Sequence, residues 1–187
     1  MNHKILNLSK NTERWEHMIS QCAEFGIEPN RFNCYEGGER GYNRSIFEAI
    51  TTASGNILIL EDDSVFEPNA RAIFDEAVKE LPEDYDILYL GGNIRRKCDP
   101  YTAHLNRVYD IWTTHAVMFS QKCIEYIRWH YNPSKDVIFD EWLRLNVQPL
   151  NHCYIVKPMI AFQRDGWSDI RQTNVTYALR ESGKYLV

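Results

Sequence analysis

Residues Ile57-Leu58-Ile59-Leu60-Glu61-Asp62-Asp63 constrain the fold more than any other stretch. Four consecutive branched apolar residues, entered from Ser54-Gly55 and left through acids, describe a strand buried on both faces. Such strands belong to sheets covered by helices, so the run predicts an α/β protein. It also puts three carboxylates at the carboxyl end of a central strand. Open α/β sheets bind ligands beyond those ends, where a metal ion and a phosphate are expected.

The rest of the chain supplies the partners that such a strand needs. Lys4-Ile5-Leu6-Asn7-Leu8 reads as a first strand, and Ser9-Lys10-Asn11-Thr12 suits a helix cap. Trp15, Met18, Ile19 and Cys22 recur at helical spacing up to Gly26, a natural C-terminal stop. Arg31-Phe32-Asn33-Cys34-Tyr35 is a second strand. An irregular loop with Gly37, Gly38 and Gly41 follows, then a helix over residues 43–53. Pro68-Asn69 opens a helix with Ala70, Ile73, Phe74 and Ala77 on one face, stopped by Pro82; Asp86-Ile87-Leu88-Tyr89-Leu90 is a further buried strand. Alternating strands and helices imply a mostly parallel sheet with right-handed crossovers. Residues 94–110 lose all period and read as a surface loop carrying Arg95-Arg96-Lys97, either a solvated connection or a mobile active-site loop. Residues 111–119 are β-prone except at Thr113-Thr114-His115. Ser120 caps a helix with Ile124, Ile127 and Tyr131, residues 136–145 form a short helix, and Cys153-Tyr154-Ile155-Val156 is the last strand. The tail from Gln163 is polar, an ordered lid or a partly disordered end.

At 187 residues the chain suits a single domain, and 13% aromatic content argues against disorder. A formal net charge of -5 gives no global attraction to nucleic acid or to an anionic membrane. No stable nucleic-acid binding is expected. The first residues lack the apolar core of a signal peptide, and no run approaches a transmembrane segment, so a cytoplasmic protein is expected. Five cysteines, Cys22, Cys34, Cys98, Cys123 and Cys153, are odd in number and form no CxxC pair, which suits reduced thiols better than a disulfide frame or a zinc site.

Three adjacent carboxylates repel one another and cost stability unless a cation, an arginine or solvent offsets them. Alternating residues of an extended segment point to the same side, so Glu61 and Asp63 share a side and Asp62 faces away. A divalent ion carrying a diphosphate suits that geometry, with Asp63 as direct ligand and Glu61 reaching a ribose or a metal-bound water. A solvated acidic turn is the alternative.

Several short motifs, in order, resemble a family 25 glycosyltransferase, the lipooligosaccharide and collagen galactosyltransferase type of GT-A enzyme. Ile5-Leu6-Asn7-Leu8 with Arg14 resembles its opening, and Met18, Gln21, Gly26 and Arg31-Phe32 its first helix and second strand. Leu58-Ile59-Leu60-Glu61-Asp62-Asp63 resembles its form of the D-x-D motif, and Asp86-Ile87-Leu88-Tyr89-Leu90-Gly91 its next strand. Thr114-His115-Ala116, Asp140-Glu141-Trp142-Leu143, and Gln163 with Ser168-Asp169-Ile170 complete the series, which spans nearly the whole chain. One segment departs: Gly41-Tyr42-Asn43-Arg44-Ser45-Ile46 carries isoleucine where the family has histidine.

The resemblance implies a GT-A-like, Rossmann-related sheet flanked by helices. Residues 1–93 would form its nucleotide-sugar half, and residues 94–187 its acceptor and catalytic half. It implies a UDP-sugar donor, Mn²⁺ or Mg²⁺, and inverting transfer of a hexose to a hydroxyl, with a saccharide as the default acceptor. Asn7 and Leu8 would border base and ribose; Arg14 would reach the base or a phosphate. Arg44, Asp62, His115, Ser168 and Asp169 are further donor-site candidates, with His115 either lining the pocket, binding metal or serving structure. Glu61 and Asp63 would hold ribose and metal. Asp140 would be the base that deprotonates the acceptor, with Glu141 as its fallback; a helix N-terminal carboxylate is the alternative for Asp140. About one of Trp112, Trp142 and Trp167 is expected to stack on sugar. The competing readings are a catalytically silent nucleotide-sugar binder of the same fold, transfer to a protein or modified nucleic-acid base, and a Mg²⁺-dependent phosphate enzyme of another α/β type.

Overall fold

The expected alternation begins at the third residue. In the computed structural model, which describes residues 1–177 and 183–187, strand β1 (His3–Asn7) leads into helix α1 (Thr12–Phe25). Gly26 ends that helix at φ 74°, its N–H turned to the carbonyls of Ala23 and Cys22, as its place in the sequence predicts. Strand β2 (Arg31–Asn33), helix α2 (Gly38–Thr51), strand β3 (Ile57–Glu61), the short strand β4 (Ser64–Phe66), helix α3 (Ala70–Glu80) and strand β5 (Ile87–Tyr89) follow. Helix α2 begins inside the segment expected to be an irregular loop. The glycines serve its entry: at Gly41 an added Cβ would lie 2.5 Å from the carbonyl oxygens of Tyr35 and Glu36.

Residues 94–110 are not a simple surface loop. They contain β6 (Asn93–Ile94), β7 (Asp99–Pro100) and β8 (Leu105–Arg107), and Cys98, Leu105 and Val108 are buried. Strands of two or three residues are too short to show a period, which is why the pattern vanished. Next come β9 (Ile111–Trp112), β10 (Ala116–Phe119), α4 (Gln121–His130) and α5 (Phe139–Asn146). Ser120 Oγ caps α4 by accepting from the Cys123 N–H at 3.1 Å. Helix α5 starts three residues later than expected. Strand β11 (Cys153–Val156) is not the last, since β12 (Ala161–Gln163) and the hairpin β13 (Gly166–Ser168)–β14 (Thr173–Val175) order much of the polar tail; residues 178–182 lie outside the described residues.

The main sheet runs β2-β1-β3-β10-β5-β11-β8-β7. Strands β2, β1, β3, β5 and β11 share one direction, and β10 is inserted antiparallel to both β3 and β5. The sheet is thus mostly parallel by strand direction. Residues 57–60 of β3 are fully buried. Ile57 and Ile59 pack with Ile46 of α2, Ile124 of α4 and Leu143 of α5, whereas Leu58 and Leu60 pack with Met18 of α1 and Phe74 of α3. Each such side chain contributes roughly 1.5–3 kcal/mol on burial, so helices on both sides hold β3 in place. Its carboxyl end is thereby fixed. Among the described residues, no helix is long and apolar enough to cross a membrane.

Candidate active site

The carboxyl ends of β1 and β3 open into a cavity of about 460 Å³, within the size range of small-ligand sites. Asn7 and Leu8 lie in its wall at the end of β1, and Glu61, Asp62 and Asp63 at the end of β3. Asp140, from the first turn of α5, shares the same cavity, as do Ser168 and Asp169.

The three acids have separate hydrogen-bond partners. Asp62 accepts from Asn7 Nδ2 at 2.6 Å and from Arg14 Nη1 at 2.8 Å. Glu61 Oε1 accepts from the Tyr42 hydroxyl and from Thr114 Oγ1, each at 2.9 Å. Among the described side chains, Asp63 accepts from Gln163 Nε2 alone, at 3.3 Å. Asp62 therefore does not face away: the chain turns as it leaves β3, so strand alternation ends at Glu61 and all three border the cavity. Burial, then the neighbouring Asp63, pushes the Glu61 carboxyl up to about 8. Burial, then Asp62, pushes Asp63 up to about 7. Gln163 Oε1 is buried and has no hydrogen-bond partner among the described residues.

Asp140 Oδ1 accepts from the Glu141 N–H at 2.8 Å, and Oδ2 from the Thr113 N–H at 3.4 Å. Burial raises its carboxyl above the ordinary value, and those N–H groups and Arg171 oppose the rise. Glu141, the fallback base, is instead held by Arg144 at 2.7 and 2.8 Å and is not part of the cavity wall. Arg44 also lies outside it, stacked 3.7 Å from the Tyr35 ring centroid and paired with Glu48. His115 is fully buried behind the wall, and burial lowers its imidazole to about 4. Ile46, at the family's histidine position, is a core residue. Of the three tryptophans, Trp142 packs against Phe139 and Tyr131, Trp112 lies under Arg95 and Arg144, and Trp167 is exposed on the hairpin. None of the three borders the cavity.

The hairpin closes one side. Asn11 Nδ2, rather than capping α1, donates to Asp169 Oδ2 at 2.9 Å, and Arg14 Nη2 donates to the Trp167 carbonyl. Tyr177 beyond the hairpin also lines the cavity. Tyr42, Thr113 and Tyr177 had no functional signal in the sequence: Tyr42 falls between the glycine loop and the expected helix, and the other two reach the site only through long-range packing. Cys34 lines the cavity too, but burial pushes its thiol up to about 12, so it is no nucleophile at neutral pH. All five cysteines are unpaired.

No family model matches the chain, and no curated protein matches it by sequence. Solved structures do. A glycosyltransferase involved in glycosylation of the major capsid of PBCV-1 aligns at TM-score 0.55 and 11% identity, covering 99% of this chain and 98% of that one. A197 from STIV aligns at TM-score 0.52 and 12% identity, over 94% and 93% of the two chains. A mutant Drosophila β-1,4-galactosyltransferase 7, complexed with manganese, UDP-Gal and xylobiose, aligns at TM-score 0.51 and 10% identity, over 97% and 78%. Sugar nucleotidyltransferases are matched less closely, and the chain spans 65% of the length of a thymidylyltransferase and of a UDP-glucose pyrophosphorylase. At such identities the likeness is one of fold. The chain has a single-domain, GT-A-like α/β fold that it shares with glycosyltransferases.

Proposed function

We propose that this chain transfers a hexose from a UDP-sugar to a hydroxyl acceptor, with inversion, in the manner of the family 25 glycosyltransferases its motifs resemble. The observation that carries this reading is the meeting, in one cavity, of the acids ending β3 with the half-buried carboxylate of Asp140. A donor diphosphate would lie over the first group, and an acceptor hydroxyl would lie against the second.

The cavity's charge supports a divalent cation. Among the described residues its wall holds six carboxylates (Glu36, Glu61, Asp62, Asp63, Asp140, Asp169) against three cations (Lys10, Arg14, Arg171), and Arg14 is already committed to Asp62. A diphosphate alone would meet net repulsion. Asp63, Glu61 and the unpartnered Gln163 Oε1 offer hard oxygen donors, the set that suits Mn²⁺ or Mg²⁺. Among the described residues no three His, Cys, Asp or Glu side chains are gathered to hold an ion alone, so phosphate oxygens would have to complete its shell. When bound, the ion would offset the charge that builds on the departing diphosphate.

This chain's residues would do the rest. Asp140 takes the acceptor's proton as that oxygen bonds to the anomeric carbon and the bond to the diphosphate breaks; its raised pKa brings it nearer neutrality, where a general base works best. Tyr42 and Thr114 keep Glu61 oriented. A second reading, a silent nucleotide-sugar binder, is favoured by Ile46, which puts core where the family has a histidine.

Two measurements test this. A UDP-sugar with Mn²⁺ should raise the melting temperature, because a ligand of the folded state stabilises it, and EDTA should abolish the effect. Asp140→Asn should keep that shift and lose UDP release by about 10²–10⁴-fold. No shift with any nucleotide-sugar would sink the proposal, and a shift without turnover in the wild type would favour the silent binder.

A further inference from the structure

His115 touches two walls of the cavity without entering it. Its Nε2 lies 3.2 Å from the Ala161 carbonyl oxygen, and its Nδ1 lies 3.2 Å from Thr113 Oγ1. A carbonyl only accepts, so Nε2 carries the proton; Nδ1 must then accept from the Thr113 hydroxyl. One tautomer satisfies both contacts, and burial keeps the ring neutral well below physiological pH.

Each contact leads to a group of the site. Thr113 has φ 77°, a left-handed conformation that is strained for a β-branched residue. Backbone shape alone would favour glycine or asparagine there. The threonine hydroxyl gives the position a reason, since its bond to His115 holds the turn in which the Thr113 N–H faces Asp140 at 3.4 Å. On the other side Ala161 begins β12, which ends at Gln163 beside Asp63. The sheet makes room for this join at Gly91, where a Cβ would lie 1.8 Å from the Ala161 oxygen and 3.2 Å from His115 Nε2.

We propose that His115 is a positioning residue: through the Thr113 hydroxyl it sets the N–H that orients Asp140, and through the Ala161 carbonyl it ties that wall to the one carrying Gln163. The inference rests on the reading of Asp140 as the base. It replaces direct roles for His115 in metal or sugar binding.

The test uses the full chain, UDP-galactose and Mn²⁺, with UDP release as the readout. Thr113→Ala and His115→Gln, whose amide can still reach Ala161 but leaves Nδ1 unreplaced, should each lower kcat by about 10–100-fold, the usual cost of losing an outer-shell partner. Donor KM should stay within about twofold, because the chain's donor contacts are untouched. Thr113→Ser keeps the hydroxyl and should restore kcat. The double variant Thr113→Ala/His115→Gln should be no worse than the weaker single, since both remove one bond. Multiplying losses, or Thr113→Ala with wild-type kcat, would overturn the role. Ring ¹⁵N NMR checks the geometry without any turnover: an Nε2–H tautomer at pH 7 supports it, and Nδ1–H refutes it. Failure of the underlying reading looks different, since then Asp140→Asn would itself release UDP at the wild-type rate.

Discussion

Asp63→Asn is the substitution whose effect on stability can be worked out from the site's electrostatics. A carboxyl whose pKa is higher folded than unfolded takes up a proton on folding, so its contribution is full below the unfolded value and is lost as pH rises through the folded one. Asp63 goes from 3.8 to about 7 and Glu61 from 4.5 to about 8. Between pH 5.5 and 7.5, at about 1.4 kcal/mol per pKa unit, Asp63 should cost the metal-free protein about 2 kcal/mol, and Glu61 a similar amount. Asparagine removes the first loss and, by deleting the charge beside Glu61, lessens the second. His115, held down at about 4, works in the opposite sense at the acid end of this window, but it is common to both proteins and cancels in their difference. In urea titrations with EDTA, wild type should therefore fall by at least about 2 kcal/mol more than Asp63→Asn over this range, about 4–8 °C in melting temperature for a domain of this size. Mn²⁺ added with UDP, whose phosphates would complete the ion's shell, should recover the loss at pH 7.5 in wild type and not in the variant. Equal slopes for the two proteins would refute the claim that these carboxyls are buried against each other, and an equal response to Mn²⁺ with UDP would remove Asp63 from the proposed cation site.

Three further substitutions probe the frame around the cavity, one of them as a control. Gly91→Ala places a methyl 1.8 Å from a backbone oxygen and should cost about 3 kcal/mol or more by urea unfolding. Gly55→Ala, with nothing within 4 Å but φ 78°, should cost only about 1 kcal/mol, and comparable losses would mean that the join at Gly91 is looser than described. Arg14→Ala strips Asp62 of its guanidinium and the hairpin of an anchor; we expect a loss of about 2 kcal/mol, below the ~3–5 kcal/mol of a fully dry pair. Amides of residues 166–175 should exchange faster in that variant, and unchanged exchange would show that Asn11 alone holds the hairpin.

Periodicity made part of this legible. Helix α1 could be read because Met18 and Cys22 recur at its spacing, and β3 because its apolar run is uninterrupted. Strand direction could not be read, since a period of two is the same both ways; β10 looks from its residues like one more parallel strand. The short strands β6 to β8 escaped because Arg, Asp and Asn in two- or three-residue pieces give no alternation. At the site, the acids were visible as a cluster, but how Glu61 and Asp63 are held depends on Tyr42, Thr114 and Gln163, which arrive from other parts of the chain. His115 shows the limit from the other side. Its residue type suggested a ligand, and only its burial and its two partners give it a structural place.

The reversed strand has a consequence for how this protein can be divided. Because β10 pairs with β3 through Ala116 and Leu60, and with β5 through Val117 and Tyr89, the centre of the sheet belongs to the second half of the chain. A fragment ending near residue 93 would keep Glu61, Asp62 and Asp63 but leave β3 and β5 as bare apolar edges, prone to pair with other copies. It would also lack Thr114, one of the two groups that hold Glu61. Replacing residues 94–187 with a foreign segment would therefore replace the sheet's central strand and part of the cavity wall together, so under the proposed function donor and acceptor specificity could not be exchanged as separate modules.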